Sequence, residues 1–226
     1  MCKIDGIQRN KYFHILAEEF EAFLTQLQGV FADSILGHAL VLMEIKRNIN
    51  FLKQLFENNK ELCSDEFQDS AHFSHEYLSM NFIPGSGMFY HKKGDVRERN
   101  KDGGKNCVFM GKMVIIMLYE YWEKYFRKKV AVGYGLEKSN DYKDDFWSDL
   151  CLIRNSILHC GGKASKKLEK KAKIFKGFFE GKEIIITKIF ISRILQNAYE
   201  FKNKLYAESF QRENRKEMKI NSYISY

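Results

Sequence analysis

Apolar residues recur at helical spacing along most of this chain. Phe13, Leu16, Phe20, Phe23, Leu24 and Leu27 predict an amphipathic helix over about 12–28. Asp33 or Ser34 is placed to cap a second helix, which carries Leu36, Leu40, Met43, Ile49, Leu52 and Phe56. Ser64, Asp65 and Glu66 mark the start of a third, more polar helix reaching about Met80. The stretch at about 83–105, "IPGSGMFYHKKGDVRERNKDGGK", has glycine, charge and the only proline but no periodicity, and predicts one long loop. The most apolar helix follows, from about Asn106 to Lys128, with Val114, Ile115, Leu118, Tyr121 and Trp122 as the expected centre of the core. After the linker "VGYGLEKSNDYK", Asp144 or Asp145 starts a further helix. β-rich flanks around Glu180 and Gly181 predict a small hairpin at about 173–187, and Thr187 then caps a last long helix through about Ala207. The polar tail after Arg212 is expected to fray.

These elements add up to an all-α fold: a bundle of about five to six helices with a small β-hairpin before the last long helix, in a single domain over 1–226. No internal repeat is visible. With 226 residues, 45% of them hydrophobic, the chain has ample material for one core. The formal net charge of +8 suits an anionic partner. Five scattered cysteines with no CxxC pair read as reduced thiols. The N-terminus lacks a basic segment followed by an apolar run, and no long uninterrupted apolar run occurs elsewhere. The sequence reading is therefore a soluble, cytoplasmic protein without a membrane partner.

The chemistry concentrates in "CLIRNSILHCGGK", residues 151–163. Phe146, Leu150, Ile153 and Ile157 form one stripe that must face the core. With that stripe as zero and about 100° per residue, Arg154 emerges near 80° and His159 near 220°. Asn155 and His159, four apart, share a side. Arginine offers a planar, permanently charged fork for phosphate oxygens, and histidine moves protons near neutral pH. One copy lacks a second acid–base group, which a twofold dimer with this helix at the interface would supply. Gly161 and Gly162 end the helix and leave room for close approach. The plainer alternative is an Arg154 that snorkels beside the core and a His159 favoured by the helix dipole.

"IRNSILHCGG" resembles the RxxxxH signature of the HEPN superfamily, and more narrowly the RNxxxHxG form of many bacterial HEPN ribonucleases. The likeness covers residues 153–162 as a motif and roughly 30–210 as an architecture. It implies a helical bundle that dimerises and a metal-independent endoribonuclease leaving 2′,3′-cyclic phosphate ends. Carried over, Arg154 holds the phosphate, His159 acts as general acid or base, and Asn155 orients the histidine or contacts RNA. The resemblance also suggests bacterial defence or a toxin with an antitoxin or other partner. Gly161 stands where one toxin branch carries a tyrosine, which argues against silencing by nucleotide transfer to such a residue.

Lys163, Lys166, Lys167 and Lys170 follow the motif and are candidates to hold the RNA backbone; the alternative is a solvated helix face. Lys92, Lys93, Arg97, Arg99, Lys101 and Lys105 in the expected loop are diluted by Asp95, Glu98 and Asp102. His72 and His75 have the spacing for a metal pair but only Glu76 nearby. No phosphate-cradling glycine loop follows a strand, and neither metal nor cofactor is expected. The leading expectation is a homodimeric endoribonuclease acting on RNA. Its alternatives are a non-catalytic HEPN-like module binding RNA or protein, and a helical adaptor unrelated to RNA.

Overall fold

In the computed structural model the described residues are 6–70, 72–74 and 90–210. Helix dominates, so the all-α class holds. In chain order the elements are α1 (Gly6–Leu55), α2 (Asp65–Ser70), β1 (His72–Ser74), β2 (Tyr90–Lys92), α3 (Lys93–Asn100), α4 (Lys105–Tyr121), α5 (Arg127–Gly133), α6 (Asp145–His159), α7 (Lys166–Lys171) and α8 (Lys188–Phe210). A π-helical turn, Trp122–Phe126, joins α4 to α5. The residues group into two compact units, 1–31 with 111–226, and 32–110; α1 and α4 run through both.

The first unit holds an aromatic core. Phe13, Leu16, Phe20, Leu24 and Leu27 of α1 are all buried, as their three-and-four spacing requires. Phe20 stacks on Phe126 with centroids 4.9 Å apart and meets Phe201 edge-on at 5.6 Å. Trp122 and Trp147 lie flat against each other at 4.2 Å. The π turn inserts one residue into the helical phase, and both Trp122 and Phe126 are buried there. Asp144 caps α6 by accepting from the Phe146 and Trp147 N–H groups. Thr187 accepts from the Phe190 N–H at the start of α8, as expected.

Asp149 is the buried polar centre of this unit. Its carboxylate accepts from the backbone N–H groups of Lys173, Ile174 and Phe175 at 2.7–3.0 Å. Those donors are therefore unavailable to a cross-strand partner, and the hairpin expected at 173–187 does not form. The segment pairs instead with the chain just after α6. Lys163 and Glu183 make an isolated antiparallel bridge, and the Ile184 N–H donates to the Gly162 carbonyl at 2.9 Å. Ile184 and Ile186 are buried while Ile185 is exposed, which is the alternation of an extended chain lying on a core.

The second unit contains the distal half of α1, α2, the two strands, α3 and the first turn of α4. β1 and β2 pair antiparallel, His72 opposite Lys92 and Ser74 opposite Tyr90. Three expectations are corrected here. Asp33 and Ser34 cap nothing, because α1 continues through them; a lone glycine such as Gly29 costs a helix only about 1 kcal/mol, and no proline intervenes. The polar third helix stops at Ser70. The expected loop at 83–105 contains β2 and α3, while 75–89 lies outside the described residues. Helix α3 escapes a periodicity search because it buries only Val96 among apolar residues, with Lys93 and Asn100 beside it. Lys93 is thus no surface cation; burial pushes its ammonium below the usual lysine range. The polar tail also lies outside the described residues. By length and composition alone α1 is apolar enough to cross a membrane, with a best window of mean hydropathy 1.2 that is 11% buried.

Removing the Asp149 carboxylate leaves one buried and two half-buried backbone donors without an acceptor. Asp149→Ala is expected to lower stability by about 3 kcal/mol, with Asp149→Asn intermediate, as read from urea unfolding followed by tryptophan fluorescence.

Candidate functional site

Helix α6 is longer in its buried face than the simple stripe suggested. Phe146, Trp147, Leu150 and Ile153 are buried together with Asp149 and Ser156, whereas Ile157 is only half-buried. Ser156 works at the helix end as Asp149 works near its start. Its carbonyl accepts from both the Cys160 and Gly162 N–H groups at 3.2 Å. Its hydroxyl lies 3.0 Å from that of Ser165 and accepts from the Ser165 N–H. Gly161 and Gly162 have φ of 61° and 82°, a left-handed pair that turns the chain back over α6. A side chain at Gly162 would also meet the Lys112 ammonium 2.9 Å from its Cβ.

Arg154 points toward α4. One guanidinium nitrogen donates to Asn155 Oδ1 at 2.9 Å and the other to the Glu120 carboxylate. The guanidinium carbon sits 5.9 Å from the Tyr119 ring centre. Arg154 Nε is buried without an acceptor among the described residues. The second oxygen of Glu120 pairs with Lys124 at 2.8 Å. Lys124 first, and then Arg154, hold the Glu120 carboxyl below the usual range. Burial, followed by Cys151 and Glu123, pushes the Tyr119 phenol well above its ordinary value. Asn155 Nδ2 donates to Cys151 Sγ at 3.5 Å, so Asn155 orients the arginine here rather than the histidine.

His159 stands apart from this cluster. It is the exposed last residue of α6, with no hydrogen bond or ion pair among the described residues. Five residues of helix separate it from Arg154 by about 7.5 Å along the axis and about 140° around it. One protomer therefore gathers Arg154, Asn155, Glu120 and Tyr119 but leaves His159 on another side. Lys166, Lys167 and Lys170 all project from α7 opposite its buried Leu168, and Lys163 is exposed after the glycines. None of these four lysines has an acidic partner among the described residues. His72 belongs to β1, and His75 lies outside the described residues.

Glu120 and Tyr119 were not foreseen from the sequence. Nothing local marks them: Glu120 and Lys124 read as an ordinary surface pair four residues apart. Only the antiparallel passage of α4 along α6, which also brings Lys112 to Gly162, aims them at Arg154. Met113, Met117 and Leu158 are exposed on this same helix pair. A cleft of ≈ 400 Å³ opens toward the start of α6, lined by Tyr119, Tyr142, Lys143, Cys151 and Lys171 among others.

Because the Glu120 carboxyl titrates lower when folded, its pairing stabilises fully above the unfolded carboxyl value and fades as pH falls through the folded one. Glu120→Gln is expected to cost up to about 1 kcal/mol at neutral pH. Urea midpoints of the two proteins should converge as the solution is acidified through the carboxylate range.

The chain matches no family model, no curated protein and no solved structure.

Proposed function

We propose that this protein is a metal-independent endoribonuclease of the HEPN kind, working as a homodimer that assembles its site from two copies of α6. The observation that carries the reading is the pairing, on one helix, of an exposed His159 without a partner among the described residues and an Arg154 preset by Asn155 and Glu120. In the reaction the RNA 2′-oxygen attacks the adjacent phosphorus. One His159 takes the 2′-hydroxyl proton, and the partner protomer's copy of this histidine gives a proton to the departing 5′-oxygen. The 2′-O–P bond forms as the P–O5′ bond breaks, leaving a 2′,3′-cyclic phosphate and a 5′-hydroxyl. Arg154 offsets the charge that builds on the phosphoryl oxygens.

Several features support this assignment. Glu120 occupies the guanidinium as an anionic stand-in, and an incoming phosphate competes for the same fork. Lys124 pairs with the other Glu120 oxygen and is placed to hold that carboxylate once the fork is vacated. Met113, Met117 and Leu158 give the α4–α6 face the exposed apolar side chains a twofold contact needs. The unpaired Lys163, Lys166, Lys167 and Lys170 supply a cationic surface for the RNA backbone. A role in bacterial defence or as a toxin with a protein partner rests on the sequence resemblance, and a cytoplasmic location on the scattered cysteines with no CxxC pair. The second reading, a non-catalytic module that binds RNA or protein, is favoured by one observation: both terminal nitrogens of Arg154 already have intramolecular acceptors in Glu120 and Asn155, with Tyr119 beside the guanidinium.

The expected result is cleavage of single-stranded RNA in EDTA with cyclic phosphate ends. Arg154→Ala and His159→Ala should each lower the rate by at least about 10³-fold while leaving oligomeric state and circular dichroism unchanged. Mixing the two inactive variants should restore part of the activity if both protomers build the site. RNA affinity that persists in both variants, with no cutting by the wild type, would establish the binding module instead.

A further inference from the structure

The distal half of α1 carries an apolar stripe that its own unit does not cover. Leu36, Leu40, Phe51 and Leu55 are 57%, 54%, 60% and 61% exposed, and Met43 is exposed beside them. At about 100° per residue these positions, together with Glu44 and Arg47, fall within a sector of about 120°. Ile45, buried within the unit, points to the opposite side of the helix. This half of α1 is therefore apolar on two faces, one packed inward and one turned out.

The outward stripe is self-complementary. Leu36 and Leu55, Leu40 and Phe51, and Glu44 and Arg47 are each symmetric about a point between Ile45 and Lys46. An antiparallel copy of the same helix, related by a twofold axis through that point, sets leucine on leucine at the ends. Leucine then meets phenylalanine nearer the middle, and Glu44 meets Arg47 at the centre, twice over. Arg47 is exposed and Glu44 half-exposed, and among the described residues each pairs only with the other, at 3.1 Å across one turn, so both can exchange partners. We infer that the distal half of α1 is a homotypic interface, on which a second copy of this chain docks antiparallel along about 28 Å of helix.

A lipid bilayer is the other candidate to cover so apolar a helix, and the charges decide against it. Glu44 and Arg47 sit in the middle of the stripe, where each ionised side chain costs a bilayer roughly 2.5–3.5 kcal/mol. In the antiparallel pair the same two charges meet opposite partners. The interface uses no residue of the Arg154 cluster, so it is independent of the proposed nuclease dimer.

Sedimentation equilibrium of the full chain tests the inference. Wild type should associate reversibly through this seam in addition to the proposed α6 dimer, and Glu44→Arg or Arg47→Glu alone should each raise the Kd of that step about tenfold or more by placing like charges at the centre. The double reversal, Glu44→Arg with Arg47→Glu, should restore that step, and Leu40→Glu with Phe51→Glu should abolish it, leaving only the association of the proposed α6 dimer. Leu40, Arg47 and Phe51 are exposed and Glu44 is half-exposed, and circular dichroism checks that helix content is kept. A monomeric wild type overturns the inference, as does a dimer indifferent to every one of these changes, which would place association on another face. Flotation of the wild type with phosphatidylcholine–phosphatidylglycerol vesicles, lost in the Leu40→Glu, Phe51→Glu protein, would overturn it in favour of a lipid surface.

Discussion

The orientation of α6, and with it everything in the candidate site, depends on the Asp149 carboxylate. A buried charge without partners is prohibitively costly, and this one is met by three backbone N–H groups from 173–175. The same contacts solve a second problem, since a chain entering a core without regular structure must place its own N–H groups somewhere. Ser156, seven residues on and on the same face of the helix, repeats the device at the other end by holding Ser165. Two polar side chains thus staple the returning chain to α6, and the helix has no freedom to rotate between them.

Once α6 is held in that rotation, Arg154 must face α4. Its charge is neutralised there by Glu120, with Tyr119 beneath the guanidinium and Asn155 at its edge. The guanidinium fork is filled by a carboxylate. In the proposed reaction this makes substrate capture an ion exchange rather than the binding of an anion by a bare cation. His159, at the exposed end of the same helix, is under no such constraint. The left-handed glycines behind it turn the chain away and leave the imidazole open to solvent.

Helix α1 shows the complementary situation, in which burial is incomplete. Its first half is consumed by the aromatic core around Phe20. Its second half buries Ile45 and leaves a symmetric apolar stripe outward. A helix with two apolar faces and charges of opposite sign at its midpoint fits a protein–protein contact better than a bilayer. The inference of an antiparallel seam follows from that pattern.

What the sequence by itself determined were the features set by neighbours along the chain. The helical class, the start of α6 at Asp144, its end at the paired glycines, the start of α8 at Thr187 and the buried face of early α1 all follow from capping, glycine geometry and spacing. Tertiary structure alone decided the rest. The helix over 93–100, the displaced pairing of Glu183 and the capture of Arg154 by Glu120 each depend on partners far away in sequence. Asp149 shows why: in the sequence it is one more acid near a helix start, and its effect on the fold comes from donors twenty-four to twenty-six residues ahead. Local propensity cannot register such a bond, because the free energy that favours it exists only once both segments have been brought together.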